Sequence, residues 1–155
     1  MGNKILWLGI NAKYSHTSLA IRYLREAVPE SSIMELTINH QLLAMLGEIY
    51  ESQPKVIGIA CYIWNIEIVK NLLKLLAAAL PSTIIICGGP EVSYETTEFM
   101  QEFSMVDYVC RGEAEEALPK LIKLLRENDF AIAKTNMILS KTAIKGIAWR
   151  EISAD

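Results

Sequence analysis

Four short segments of this chain combine glycines, aromatic rings and polar side chains in a way that suits ligand binding. Each follows an apolar run of the kind that forms a buried strand. The carboxyl ends of parallel strands meet at one rim of a sheet, and open α/β folds bind their ligands there. We therefore expect a binding surface built from residues 11–16, 61–65, 88–91 and 107–116.

The segment Gly88-Gly89-Pro90-Glu91 is the clearest of the four. It ends the apolar run Ile84-Ile85-Ile86-Cys87, which is typical of a central strand covered by helices on both faces. Glycine lets a backbone approach another group closely and adopts φ angles that other residues avoid. A glycine pair is a weak signal by itself, since any tight turn can use it, but its position after a buried strand makes it stronger.

The segment Asn11-Ala12-Lys13-Tyr14-Ser15-His16 is polar and opens a predicted helix. Backbone N–H groups at such a helix start can receive an anion or an amide, whereas ordinary capping by Ser15 or Thr17 explains the same residues equally well. His16 has the chemistry of a metal ligand or an acid–base group, although a solvated histidine at a helix start is the favoured interpretation. We interpret His40, after the second predicted strand, as a surface residue.

Two large aromatic side chains lie in the segment Cys61-Tyr62-Ile63-Trp64-Asn65. Rings in a loop after a buried strand can stack on a flat, extended ligand, and the alternative is that they cover the end of the hydrophobic core. The segment Arg111-Gly112-Glu113 places a charged pair and a flexible residue after the last of five predicted strands. We interpret the carboxylates of Glu113, Glu115 and Glu116 as residues of the first turn of a helix, where the helix dipole favours them, rather than as a catalytic acid–base pair.

Each of the three cysteines, Cys61, Cys87 and Cys110, closes a predicted strand. Adjacent strands lie about 4.8 Å apart, so three sulfurs in a row across the sheet are conceivable. Soft-metal sites usually need four thiolate or imidazole ligands, and free cysteine is among the most buried residue types. We therefore interpret the cysteines as core residues.

The elements that must hold these segments alternate between strand and helix. Predicted strands cover 4–9, 32–38, 56–61, 83–87 and 107–110, and predicted helices cover 16–28, 41–52, 66–80, 95–103 and 113–128. Five consecutive β-α units predict the α/β class, with a doubly wound parallel sheet in the flavodoxin-like order 2-1-3-4-5. The order reverses between strands 1 and 3, so the loops after those strands, residues 10–15 and 62–65, should flank a crevice.

The last part of the chain follows a different pattern. Residues 131–145 show no clear periodicity, and residues 144–152 predict one further strand, which adds to the edge of the sheet or belongs with a partner outside this sequence. We expect residues 1–130 to form the α/β domain and residues 131–155 to form an extension or linker toward a further domain. We accordingly expect that the chain was cut from a longer protein near Asp155.

Composition and missing motifs narrow the function classes. The 155 residues suit one domain, the net charge of −3 gives no electrostatic case for nucleic acid, and no apolar run approaches the roughly 18 residues of a membrane span. An odd number of cysteines and the lack of a signal-peptide pattern favour the cytoplasm. The chain has neither a Walker loop nor a G-x-G-x-x-G after its first strand, which argues against nucleotide hydrolysis and dinucleotide binding.

Several motifs, taken in order, resemble those of one known family. The segments V-I-G-I-A-C-Y-x-W-N, G-G-P-E-V-S, D-Y-V-C-R-G-E-A-E-E and G-I-A-W-R are similar to the N-terminal cobalamin-binding domain of B12-dependent radical SAM proteins. The resemblance implies the order 2-1-3-4-5, a corrin ring over the carboxyl ends of the strands, and a dimethylbenzimidazole tail in the crevice near strands 1 and 3. The residues that it implies around cobalamin are Asn11, Ala12, Tyr14, Ser15, His16, Cys61, Tyr62, Ile63, Trp64, Asn65, Gly88, Gly89, Pro90, Glu91, Arg111, Gly112 and Glu113.

Two motifs of related proteins are missing. The D-x-H-x-x-G motif, which supplies a lower-ligand histidine in methionine synthase and the mutases, is absent after the first strand. The resemblance to the radical SAM branch implies cobalt without such a protein ligand. The C-x-x-x-C-x-x-C loop of an iron–sulfur cluster is also absent, so the resemblance implies the [4Fe-4S] cluster, S-adenosylmethionine and catalysis in a C-terminal radical SAM domain of the same polypeptide.

Three hypotheses follow. The first is a cobalamin-binding accessory domain without a complete active site of its own. The second is a degenerate domain that has lost the cofactor and serves substrate positioning or protein interaction, in which case Tyr62 and Trp64 would pack inward and side chains would fill the strand ends. The third is a free-standing flavodoxin-like enzyme for a small phosphorylated ligand, with phosphate or flavin near the start of the first helix.

Overall fold

The structure, a computed structural model, describes residues 4–13 and 17–151. These residues form a sheet of six strands in the order β2-β1-β3-β4-β5-β6, with helices on both faces. The strands are β1 Ile5–Asn11, β2 Ser32–Thr37, β3 Val56–Ala60, β4 Ile84–Gly88, β5 Tyr108–Cys110 and β6 Ile147–Trp149. The first five pair in parallel and β6 runs antiparallel to β5, so the predicted α/β class, the order 2-1-3-4-5 and the added edge strand are confirmed.

Helices cover both faces of the sheet, as its apolar strands require. In the described residues they are α1 Leu19–Ala27, α2 Leu42–Ser52, α3 Ile66–Ala79, α4 Pro90–Ser93, α5 Thr96–Glu102, α6 Ala114–Glu127 and α7 Ile132–Lys141. Helices α1, α6 and α7 pack on one face, which we call the α1/α6 face, and α2, α3 and α5 pack on the other, the α2/α3 face. Because β1 to β5 run in parallel, the loops that follow them meet at one edge of the sheet, which we call the carboxyl rim.

Alternation along each strand divides the core into two layers. In β3, Ile57 and Ile59 belong to the core of the α2/α3 face, whereas Val56 belongs to the core of the α1/α6 face. The same rule sends Trp7 of β1 and Ile86 of β4 to the α1/α6 face. Successive side chains of a strand point to opposite faces, so one buried strand supplies both layers.

Two predicted boundaries differ near the first loop. Strand β1 continues to Asn11, because Ile10 and Asn11 pair with Leu36 and Thr37 of β2, whereas the sequence predicted a loop from residue 10. Helix α1 begins at Leu19 rather than at residue 16. The connection between β1 and α1 therefore covers residues 12–18, whereas the sequence predicted residues 10–15.

Two helices were not predicted. Helix α4 starts with Pro90 at its first position, where the missing backbone N–H costs nothing. Helix α7 lies in the stretch that showed no periodicity. Its buried face carries Thr135 and Asn136 beside Leu139, while Met137 is exposed, so its hydrophobic pattern does not reveal the helix.

The last described residues are packed onto the sheet. The Tyr108 hydroxyl donates to Asn136 Oδ1 at 2.8 Å, and Asn136 Nδ2 donates to the Arg150 carbonyl at 3.2 Å. The Arg111 N–H also donates to the Gly146 carbonyl at 2.7 Å. Helix α7 and the residues around β6 are thus attached by hydrogen bonds to β5 and to the residue after it, and the predicted domain division at residue 130 stays a prediction.

Candidate functional site

A cavity of about 740 Å³ opens at the carboxyl rim, between the sheet and helices α1 and α6. We call it the rim cavity. Its floor consists of buried residues, which include Trp7, Ile21, Leu24, Gly58, Ile86, Cys110 and Leu118. Its mouth consists of residues nearer to solvent, which include Ala20, Ala60, Tyr62, Gly88, Gly89, Pro90, Ser93, Tyr94, Arg111, Gly112, Ala114 and Glu115. The rim is therefore hollow on the α1/α6 face.

The floor is built on a close contact between Trp7 and Gly58, which are partners in the β1–β3 register. A Cβ atom placed on Gly58 would lie 2.4 Å from Cε3 of the Trp7 indole, so the ring occupies the space that a side chain would need. The indole Nε1 donates to Ser31 Oγ at 2.7 Å, and Ser31 Oγ donates to the Val28 carbonyl at 2.5 Å. The polar atom of Trp7 is thus satisfied by Ser31, which does not line the cavity.

The glycine pair forms the wall of the mouth where β4 ends. Gly89 has a φ of 105°, and a Cβ there would lie only 2.4 Å from the carbonyl oxygen of Cys61. The Cys61 N–H in turn donates to the Gly88 carbonyl at 2.7 Å. Gly89 therefore lets the turn after β4 lie directly against the backbone after β3. The two turns are in contact at this point.

Tyr62 and Trp64 form a flat aromatic wall beside the mouth. Their rings stack with centroids 4.4 Å apart and planes 6° from parallel. Trp64 Nε1 donates to the Ile10 carbonyl at 3.1 Å, which ties the ring to the end of β1, while 45% of the residue remains exposed. The neighbouring Ile63 is 79% exposed. Burial raises the pKa of the partly buried Tyr62, so its hydroxyl stays protonated at neutral pH.

Asn65 holds the ends of β1 and β3 together. Its Nδ2 donates to the carbonyls of Ile10, at 3.1 Å, and Ala60, at 3.0 Å, and its Oδ1 accepts the Tyr62 N–H at 2.8 Å. The residue is 1% exposed. Its amide is therefore occupied by the backbone of the rim, and its role here is to shape the loop that carries the aromatic wall.

Asn11 ends β1 on the side of β2. Its Nδ2 donates to Glu35 Oε2 at 3.3 Å, and Glu35 Oε1 forms an ion pair with Arg22 at 3.0 Å. His40 lies beyond β2 and is partly buried, and its Nδ1 accepts the Thr37 N–H at 2.9 Å. Neither Asn11 nor His40 lines the rim cavity.

The structure brings six of the predicted residues to the rim cavity, and these are Tyr62, Gly88, Gly89, Pro90, Arg111 and Gly112. Other predicted residues lie in the same loops or helix starts without lining it, namely Asn11, Ala12, Cys61, Ile63, Trp64, Asn65, Glu91 and Glu113. Tyr14, Ser15 and His16 lie outside the described residues. Contact of any of these residues with a ligand stays a prediction.

Sequence reasoning missed the floor of the cavity. Alternation predicts that Trp7 and Ile86 point to one face, but it does not reveal that the space above that face is partly empty. A signal was available in Gly58, because a glycine inside an otherwise apolar strand often marks a place where another group approaches the backbone closely. The small residues Ala20 and Ala114, on the helices facing the mouth, give no such signal by themselves.

The three cysteines are buried and free, as the core interpretation expects, but they do not form one row. Cys61 and Cys87 belong to the α2/α3 face, and Cys110 belongs to the α1/α6 face. Contact with the Cys61 thiol and burial raise the pKa of Cys87, while burial raises the pKa of Cys110 to about 11. Within residues 4–13 and 17–151, no group of histidine, cysteine and carboxylate side chains is placed to hold a metal ion.

Charged side chains occur at the mouth rather than at the floor. Arg111 and Glu115 line the mouth and are exposed to solvent. Solvent screens such charges, so they can orient a polar group of a ligand without a large desolvation cost.

Among the described residues, no helix combines the length and the apolar character needed to cross a bilayer.

The doubly wound sheet and the hollow at its carboxyl rim define an α/β domain that takes its ligand at the ends of its strands. The sequence model of the family described as "B12 binding domain" matches residues 5–122 of the chain. This chain belongs to that family, and it is similar to the cobalamin domain of radical SAM enzymes.

Two curated relatives have named activities. The cobalamin-dependent radical SAM methyltransferase TokK of Streptomyces tokunonensis is 26% identical over 127 residues. The anaerobic magnesium-protoporphyrin IX monomethyl ester cyclase of Cereibacter sphaeroides is 24% identical over 112 residues. The matches cover 78% and 72% of this chain but only 18% and 17% of those proteins, so the chain spans less than a fifth of their length.

One solved structure covers almost all of the chain. The cobalamin-dependent S-adenosylmethionine radical enzyme OxsB, with aqua-cobalamin and S-adenosylmethionine bound, superposes with a TM-score of 0.76 at 16% identity. The superposition covers 99% of this chain and 21% of the OxsB chain. At this identity the likeness shows a shared fold.

Proposed function

We propose that this chain binds cobalamin, with the nucleotide tail in the rim cavity and the corrin ring over the carboxyl rim. The observation that carries the proposal is the rim cavity itself, a hollow of about 740 Å³ with an apolar floor in a B12-binding fold. Small-molecule sites usually have volumes of about 300–1,000 Å³ and mostly apolar linings with a few polar groups. A flat aromatic base with an attached ribose phosphate matches that description.

The residues of the mouth fit the rest of the cofactor. Gly112 leaves the backbone uncovered at one side of the mouth, because nothing lies within 4 Å of the position that a Cβ would take there. The corrin ring carries amide groups on its periphery, and backbone N–H and C=O groups are suitable partners for them. The exposed Ile63, Trp64 and Tyr94 offer apolar surface to the ring itself.

The open cavity and the exposed Trp64 also support cofactor binding over the hypothesis of a degenerate domain. That hypothesis expects Tyr62 and Trp64 to pack inward and side chains to fill the strand ends. Trp64 is 45% exposed, and its N–H is tied to β1 so that the ring stands beside the mouth.

Titration of the chain with hydroxocobalamin, followed by visible absorption, tests the proposal. We expect saturable binding, and weaker binding of cobinamide, which has the corrin ring but lacks the nucleotide tail. Ala20→Phe places a ring in the mouth of the cavity and should weaken cobalamin binding by about tenfold or more. Ala78→Phe is the matched control, because Ala78 is exposed on α3 and does not line the cavity. No saturable binding, or equal affinities in the two variants, would contradict the proposal.

We also propose that cobalt has no histidine ligand of the D-x-H-x-x-G type in this domain. Only His16 and His40 are available in the sequence, and neither stands in that motif. Electron paramagnetic resonance of the cob(II)alamin form tests this, because an axial nitrogen ligand splits the cobalt lines and its absence leaves them unsplit. We expect unsplit lines, unchanged in His16→Ala and His40→Ala. Splitting that disappears in one of these variants would assign that histidine as a ligand.

The function within a larger protein is a further part of the proposal. We propose that the domain is an accessory to a radical SAM domain, since the relatives that share its sequence carry that chemistry in their names and are much longer. The 155-residue chain should then take up no [4Fe-4S] cluster on anaerobic reconstitution, because it lacks the cluster motif and its cysteines are buried. Iron and sulfide analysis measures this, and stoichiometric cluster uptake by this chain would contradict the assignment.

A further inference from the structure

The floor of the rim cavity offers few hydrogen bonds to a ligand. Its described side chains are apolar except for the indole of Trp7 and the thiol of Cys110. The backbone of Gly58 and Ile86 belongs to the ladders that join β1, β3 and β4, so those N–H and C=O groups are already paired. A ligand that reaches the floor therefore meets hydrocarbon and aromatic surface.

Among the described residues of the floor, the strong donor is the Trp7 indole N–H, and it is directed elsewhere. Trp7 Nε1 donates to Ser31 Oγ at 2.7 Å, and that hydroxyl donates to the Val28 carbonyl. Ser31 is 6% exposed and is not part of the cavity lining. Recruiting the indole N–H to a ligand would break this buried pair and leave the serine oxygen without its donor.

The thiol does not replace that donor. Cys110 is 1% exposed at the end of β5, and an S–H group is a weak donor. Burial raises the pKa of Cys110 to about 11, so the group is a neutral thiol at physiological pH. The charges of Arg111 and Glu115 lie at the exposed mouth, where a ribose or phosphate rather than a base would meet them.

We infer that the rim cavity selects among complete corrinoids by the chemistry of the lower base, favouring an apolar benzimidazole over a purine. The inference rests on the proposed function, since it assumes that the tail enters the cavity. Dimethylbenzimidazole presents methyl groups and ring carbons at its outer edge. Adenine presents an exocyclic amine and ring nitrogens, which would lose their hydrogen bonds to water and find no partner among the described residues of the floor.

Three corrinoids separate this inference from the proposed function: cobalamin, the adenine-containing cobamide, and cobinamide, which has no tail. We expect the adenine form to bind about tenfold more weakly than cobalamin, because its buried amine and ring nitrogens would lose hydrogen bonds to water without gaining others. Equal affinities of the two complete corrinoids, with cobinamide weaker than both, would overturn the selectivity and leave the proposed function standing. Cobinamide equal to cobalamin, or no binding of any corrinoid, would overturn both.

A polar substitution at the floor should reverse part of the preference. Leu24→Gln gives the cavity a side-chain amide that can pair with adenine, so the ratio of the two affinities should fall several-fold. Leu80→Gln is the matched control, because Leu24 is 8% exposed, Leu80 is 7% exposed, and Leu80 belongs to the α2/α3 face. Both affinities are measured on one preparation of each variant. A loss of folded protein then affects both measurements equally and does not change their ratio. An unchanged ratio in Leu24→Gln, or the same fall in both variants, would overturn the inference.

Discussion

The two faces of the sheet are built from the same strands but end differently at the carboxyl rim. On the α2/α3 face the last inward positions of β3 and β4 hold Ile59 and Cys87, which belong to one core cluster with Val92 of α4. On the α1/α6 face the corresponding positions hold Ala60 and Gly88. One face is therefore filled to the rim, whereas the other leaves a hollow.

The difference shows how one fold can separate stability from binding. Successive residues of a strand face opposite sides of the sheet. A strand can therefore carry large residues on one face and small residues on the other without a change in its pairing register. The filled face supplies burial, and the hollow face supplies space for a ligand. Substitutions on the two faces should accordingly have different effects on stability and binding.

The largest expected effect comes from Gly89, in the turn after β4 that contacts the backbone after β3 at the rim. Gly89→Ala should lower the free energy of unfolding by about 3 kcal/mol, because the new Cβ meets the Cys61 carbonyl and φ is 105°. Gly47→Ala is the matched control. Gly47 is exposed in α2 with nothing within 4 Å of a new Cβ, so this change should stabilise the chain by about 0.5–1 kcal/mol. Urea denaturation measures both, and equal effects would contradict the structure of the turn.

A smaller effect is expected at the floor of the rim cavity. Gly58→Ala forces the Trp7 indole to move and should cost about 1–3 kcal/mol of stability while weakening cobalamin binding. The neighbouring Ile57→Val, on the filled face, should cost about 1 kcal/mol and leave cobalamin affinity unchanged. Thermal unfolding and cobalamin titration of the two variants measure the contrast. If Ile57→Val weakened binding as much as Gly58→Ala, the assignment of separate roles to the two faces would fail.

A pH-dependent effect is expected at the opposite end of the strands, away from the cavity. Burial raises the pKa of Asp107 to about 6, although it accepts the Ile85 N–H at 2.9 Å. The folded state therefore holds this proton more tightly than the unfolded chain, whose aspartate pKa is about 4. The stabilising contribution is complete below that value and is lost as the pH rises through about 6.

Asp107→Asn tests this directly, because the amide oxygen can still accept the Ile85 N–H and does not ionise. Between about pH 4 and 7 the free energy of unfolding of the parent chain should fall by on the order of 2 kcal/mol more than that of the variant. Denaturation at several pH values measures the difference, and cobalamin affinity should be the same in both proteins. Parallel stability curves would show that Asp107 titrates normally.

Much of this architecture could be predicted because its signals are local. Alternating apolar runs and helical periods predicted the five parallel strands and their order, and the glycine pair predicted a turn at the rim. The helix over residues 132–141 could not be predicted, since its buried face includes the polar residues Thr135 and Asn136, and the Asn136 side chain accepts the hydroxyl of Tyr108, which is distant in sequence. The cavity floor was missed for a related reason: whether Trp7 and Ile86 border a hollow depends on which helices pack above them.

One carbonyl group at the rim has a consequence for the speed of binding. The Ile10 oxygen accepts both the Trp64 indole N–H and the Asn65 amide, which fixes the spacing of β1 and β3 and the angle of the aromatic wall. These bonds lie entirely within the protein, so the rim has its shape before any ligand arrives. A preorganised platform of this kind loses little conformational entropy on association, and encounter rather than rearrangement should limit the rate at which the cofactor is captured.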